Sequence, residues 1–238
     1  MADWHAPQGP FDIPDVPSFI PRRLKPWLFI VFVVIIQFSG GVYLAAASDM
    51  VGTTALMQED ILMAGYASLI GLAVNFAVMF RIKFRFSNRT QLLASGAVLI
   101  VANLVCAYTT SVPVLVLTCF VAGWFRMQAT FACNSTIQLW LTPVRDMSVF
   151  FCYVYLLVDG AIQLSGLTTV YVAFFSQWEY MHWLIIGLLG LMMLAVTLLV
   201  RPVRAPMFIP LLGIDWIGAL LWSGFMLCFA FVCVYGNF

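Results

Sequence analysis

Charge is what this sequence has least of. Lys, Arg, Asp and Glu make up 9% of its 238 residues and 63% are hydrophobic, whereas ordinary soluble domains are roughly a quarter charged. That balance excludes a water-soluble globular domain. Histidine is nearly missing: His5 and His182 are the only two, so no histidine pair is at hand to ligate a haem or a metal. No glycine-rich loop of the Walker or dinucleotide type occurs. The net charge of +1 leaves no basic excess for a nucleic acid. The chain is therefore expected to carry no cofactor and no metal, to bind no nucleic acid, and not to be an enzyme.

What is present in abundance is long apolar stretches. A bilayer core of about 30 Å takes around 20 predominantly apolar residues per helical span. By that measure the spans are Trp27 to Ser48, Ile61 to Phe80, Thr90 to Thr109, Val112 to Leu141, Val149 to Phe174, His182 to Val200 and Ile214 to Val234. Segments of about ten residues with alternating polarity, the mark of a membrane β-barrel, are missing. The expected fold is an all-α integral membrane bundle of about seven helices.

The basic residues set the orientation. Arg22, Arg23 and Lys25 precede the first span, and Arg81, Lys83, Arg85 and Arg89 join the second to the third. Arg145 joins the fourth to the fifth, and Arg201 and Arg204 join the sixth to the seventh. All fall on one side, while Asp49, Glu59, Asp60 and Glu179 fall on the other. The positive-inside rule then puts the N-terminus in the cytoplasm. Residues 1–26 hold Pro7, Pro10, Pro14, Pro17, Pro21 and Pro26 and read as an extended cytoplasmic tail with no apolar core of a signal peptide. Residues 27–200 form the six-helix unit; residues 201–238 form a cytoplasmic linker and the seventh span. The cysteines Cys106, Cys119, Cys133, Cys152, Cys228 and Cys233 lie within spans and read as small packing residues.

Polar residues inside the spans are costly unless they face protein or water, so they mark candidate sites. Span four places Gly123, Arg126, Thr130 and Asn134 on one helical face, and span five does the same with Tyr155, Asp159, Gln163 and Gly166. Gln37, Asn75 and Asn103 add polar groups from spans one, two and three. Arg126 lies about 21 Å below the outer end of its span and Asp159 about 15 Å above the inner end of the next. The two levels differ by roughly 6 Å, within reach of an arginine side chain. A pair of Arg126 with Asp159 is therefore expected, with Asp159 as the proton-sensitive member. The alternatives are a structural ion pair and, for Asn75, Asn103 and Gln163, ordinary interhelical hydrogen bonds. Spans one to three and four to six would run in opposite senses, the inverted triple-helix design recurrent in transporters.

At these residues the sequence resembles the major facilitator superfamily, in particular its fourteen-helix drug:proton antiporter branch. The likeness covers its N-terminal six-helix half and the helix that follows. Arg126 and Gln128 are similar to its Arg-x-x-Gln-Gly motif, and Gly160 to Gly166 to its antiporter glycine motif. "SQWEYMHWLIIGLLGL" (Ser176 to Leu191) resembles the start of its sixth helix, and "GIDWIGALL" (Gly213 to Leu221) the start of its seventh. The loop "FRIKFRFSNR" (Phe80 to Arg89) keeps only the basic residues of the family's second-to-third-helix loop, so gate chemistry is not carried onto it.

The resemblance implies a facilitator-type inverted 3+3 bundle plus one extra helix, in the inner membrane of a bacterium. It implies proton-coupled efflux of small amphipathic compounds or drugs by alternating access. Arg126 and Asp159 become proton-coupling candidates. Gln37, Asn75, Asn103, Gln128, Thr130, Asn134, Tyr155 and Gln163 become substrate-cavity candidates, and Gly160 and Gly166 helix-packing positions. The implied partners are the lipid bilayer, a small-molecule substrate, protons, a periplasmic adaptor and an outer-membrane channel. Span seven ends almost at Phe238, so a truncated chain is expected, completed by a missing C-terminal half or a partner subunit. Other classes fit less well. A seven-helix receptor would have the opposite N-terminal orientation, and span seven has no lysine for retinal. An intramembrane enzyme would need a second catalytic group beside Asp159. A scaffold without transport of its own remains the alternative.

Overall fold

The helical character follows from the length and apolar filling of each stretch, since a chain in hydrocarbon must satisfy its own backbone donors and acceptors. The computed structural model describes residues 16, 20, 24–45, 47–51, 56–141, 147–202 and 213–236. Its elements are α1 (Lys25–Gln37), α2 (Val42–Ala45), α3 (Ala47–Val51), α4 (Gln58–Asn75), α5 (Met79–Arg85), α6 (Asn88–Tyr108), α7 (Val112–Leu141), α8 (Met147–Phe175), α9 (Tyr180–Leu199) and α10 (Trp216–Tyr235). Among the described residues five helices are long and apolar enough to cross a membrane, six if the bent pair α4 and α5 counts as one span. The protein is an all-α integral membrane protein. The tail expected over residues 1–26 and the linker expected from residue 201 lie largely outside the described residues; Pro26 stands in the first turn of α1.

Two expected spans are not continuous. The first, Trp27 to Ser48, divides after the 13 residues of α1, which rise about 20 Å. Ser39, Gly40 and Gly41 follow: the Ser39 hydroxyl donates to the Ile36 carbonyl and the Gly40 N–H to the Gln37 carbonyl, closing a tight turn. The second span bends by 64° between α4 and α5, where Val78 N–H turns back to the Asn75 carbonyl. The remaining expected spans agree with α6 to α10 within about two residues at each end, the usual latitude of helix boundaries. Helix starts carry local caps. The Ser87 hydroxyl accepts from Thr90 N–H, and Asp215 accepts from Gly218 N–H at 2.8 Å.

The hub is α7, which packs against α1, α4, α5, α6 and α8. α9 lies against α6 and more lightly against α1 and α8, and α8 packs on α1 and α2. Small residues set the closest approaches. A Cβ on Gly71 of α4 would overlap the Phe120 carbonyl of α7, and one on Gly123 of α7 would overlap the Ser68 carbonyl of α4. The same happens between Gly41 and the Ile162 carbonyl and Gly166 amide of α8. Without a hydrophobic force between helices in lipid, such backbone approaches supply the packing. α10 is held differently: it packs on α4 alone among its stronger contacts, and Tyr235 donates to Asp60 Oδ1 at 2.5 Å.

Candidate functional site

Arg126 stands at the centre of the bundle. It lies halfway along α7 and only 1% of its surface is exposed. It can be there because the turn after α1 ends in glycine: a Cβ on Gly40 would collide with Arg126 Nη1. The Nη1 end of the guanidinium therefore occupies the space that a side chain at position 40 would take. One helical turn on, Thr130 Oγ1 accepts from Gln37 Nε2 at 2.8 Å, which ties α1 to α7 beside the charge. Asn134 continues the same face a turn further.

This polar seam is incompletely satisfied. Arg126 Nε and Nη2, Gln37 Oε1 and Asn134 Oδ1 are buried without a hydrogen-bond partner, as are both side-chain heteroatoms of Asn75 at the end of α4. Buried polar groups are otherwise paired in the great majority of cases. A permanent positive charge buried with two of its nitrogens unpaired marks a place built to meet something else.

Asp159 does not meet it. The expected pair with Arg126 is not formed, because α8 turns its small residues Ala161, Ser165, Gly166 and Thr169 into the bundle and leaves Asp159 on its uncovered side. Tyr155 and Gln163 lie on that same uncovered side. The cause is the close approach of α8 to Gly41, which only the glycine face permits. A Cβ on Gly166 would meet Ala45 Cβ at 3.0 Å, and one on Gly160 would meet nothing within 4 Å.

Two further candidates belong to other networks. Gln128 Nε2 donates to Gln91 Oε1 at 2.8 Å, and Gln91 Nε2 donates to the carbonyls of Phe86 and Lys83. Lys83, 7% exposed, turns inward from α5 to donate to Asn88 Oδ1 and the Ala132 carbonyl, while Asn88 Nδ2 donates to Thr136 Oγ1. This inner network clamps the α5–α6 turn onto α7. Sequence reasoning counted Lys83 only as an orientation charge and missed Asn88 and Gln91. The spacing Asn88, Gln91, Ser95 along one face of α6 was the available signal.

Asn103 sits at the other end. Its Oδ1 lies 3.0 Å from His182 Nδ1, and His182 Nε2 lies 3.2 Å from the Tyr43 hydroxyl. The Trp178 ring meets His182 edge to face at 5.8 Å. Close by, Cys106 and Cys119 of α6 and α7 face each other with sulfurs 3.9 Å apart. A cavity of about 160 Å³ lined by Tyr43, Cys106, Trp178 and Glu179, among others, adjoins them. Among the described residues no group of three or more His, Cys, Asp or Glu could hold a metal ion.

No protein-family model matches the sequence, and no curated protein matches it.

Proposed function

We propose that this chain is part of a secondary active transporter, exchanging small amphipathic compounds for protons by alternating access across a bacterial inner membrane with its N-terminus in the cytoplasm. The observation that carries the reading is the buried Arg126 with its unpartnered N–H groups, halfway along the membrane-length helix α7. Ionisable residues at that depth mark substrate and ion pathways.

The pairing of helices supports the architecture. In a facilitator-type inverted repeat, the first three spans exchange with the next three. That operation carries the α4–α7 pair into α8–α1 and the α6–α7 pair into α9–α1, and it maps α1–α7 and α6–α9 onto themselves; all of these pairs occur. It also carries the glycine contact of Gly123 of α7 with α4 into that of Gly41 with α8. Asp159, uncovered on α8, is placed to exchange protons with an aqueous path that a second half or partner subunit would enclose. The periplasmic adaptor and outer-membrane channel belong to this reading through the family resemblance.

The test is a reconstitution. In proteoliposomes with an imposed pH gradient, amphipathic compounds should dissipate the gradient with the wild-type chain and not with Arg126→Gln. A gradient indifferent to the wild-type protein overturns the reading. A second reading is favoured by the polar stripe Tyr155, Asp159 and Gln163, which α8 leaves uncovered: the chain is a partner-dependent subunit or scaffold. Particle mass in detergent separates the two, since a subunit should be recovered from its own membranes in a larger complex.

A further inference from the structure

Every orphaned group near Arg126 asks what would complete it, and the geometry of the guanidinium narrows the answer. Its Nη1 group is the one seated over Gly40. The two unpartnered nitrogens, Nε and Nη2, are adjacent on one edge of the guanidinium plane. Their N–H bonds run side by side and match the two oxygens of a carboxylate, the bidentate arrangement in which arginine binds acids most strongly.

Among the described residues no carboxylate takes that place. Asp159 lies uncovered on α8. Asp60 accepts from Met57 N–H and Tyr235, and Asp215 caps α10. Glu59 and Glu179 stand at helix starts. No described carboxylate forms an ion pair with Arg126.

We propose that the Nε/Nη2 edge of Arg126 is the seat of a soluble organic monocarboxylate, held by two parallel N–H···O bonds. Gln37 Oε1 then accepts from a hydroxyl or amine elsewhere on the same molecule. Gln37 is fixed for this by its bond to Thr130, one turn from Arg126. Burial strengthens the recognition. In low dielectric the charge-assisted pair counts for more than at a surface, and a neutral isostere leaves the guanidinium unsatisfied. The substrate class of the transport reading thereby becomes amphipathic acids, and the inference rests on that reading for its biological sense. Binding is nevertheless measured separately from flux.

The experiment uses the full chain in nanodiscs of neutral lipid, with acetate and benzoate as probes and benzamide as the uncharged isostere of benzoate. Thermal unfolding reports saturable binding. The expected result is stabilisation by the carboxylates and not by benzamide, and benzoate binding weakened at least about tenfold in Arg126→Lys, which keeps the charge and loses the edge. Gly40→Ala, which keeps the arginine and displaces its plane, should weaken benzoate similarly, and it decides the matter if the lysine variant does not fold. Equal responses to benzoate and benzamide, undiminished binding in both variants, or no response to either carboxylate overturns the proposal. Loss of benzoate binding only in nanodiscs containing phosphatidylserine overturns the assignment to a free solute and gives the seat to a lipid carboxylate. Binding without benzoate flux in proteoliposomes counts against transport alone.

Discussion

Gly40 and Arg126 act as one unit although 86 positions separate them in the chain. The glycine is needed for absence of a side chain, and its replacement tests the packing directly. Gly40→Ala must push the guanidinium aside, and because that group ends a flexible side chain the loss should lie at the low end for overpacking, about 1 kcal/mol, read as a shift in a detergent-unfolding curve. Thr130→Val probes the neighbouring bond. It leaves Gln37 Nε2 buried without an acceptor, and the loss should be about 1 kcal/mol. Gln37→Leu in the same background should recover part of that, because removing both partners leaves no orphaned donor. At this scale the sequence was informative about which residues are buried: Gln37, Asn75, Asn103, Arg126, Gln128, Thr130 and Asn134 all are. It could not say which would share a site, since that depends on how each helix is rotated.

Helix rotation is where sequence and structure part. Span five has two faces about a third of a turn apart, one of Tyr155, Asp159 and Gln163 and one of Ala161, Ser165 and Thr169. Polarity alone selects the first as the inward face. Close packing selected the second, because small residues let α8 lie on the Gly41 backbone. The break in the first span was equally hidden, since two glycines within an apolar run do not by themselves stop a helix; Gly40 lies against Arg126 and Gly41 against Gly166. Lengths and ends, by contrast, were plain for α6 to α10 because apolar runs bounded by polar residues leave little choice. The registry of α6 against α7 yields a prediction of its own. Mild oxidation should join Cys106 to Cys119, whose sulfurs are 3.9 Å apart, giving an internal link seen as a peptide pair by mass spectrometry; its absence under conditions that oxidise exposed thiols would count against this registry.

As a whole the molecule divides into a tightly knit part and a loosely held one. α10 has most of its surface uncovered and depends on α4 and the Tyr235–Asp60 bond. Tyr235→Phe should therefore loosen α10 without unfolding the rest, detected as faster proteolysis near residues 201–202 while the α1–α9 fragment stays intact. Asp159→Asn addresses the coupling proposed for the whole transporter: it should abolish gradient-driven exchange while leaving thermal stability within about 0.5 kcal/mol, because the side chain is uncovered. Exchange that remains fully pH-driven in that variant removes Asp159 from the coupling.

The crossing of α4 and α7 sets a limit on how the helices of the bundle can move against one another. Where Gly71 and Gly123 press each backbone onto the other's carbonyl, there is no side-chain layer to deform and no slack to take up. These two helices behave as a single keel. Any rocking of the bundle must pass around that keel, carrying α4 and α7 together, and the parts free to swing are those whose contacts are made by longer side chains at its flanks.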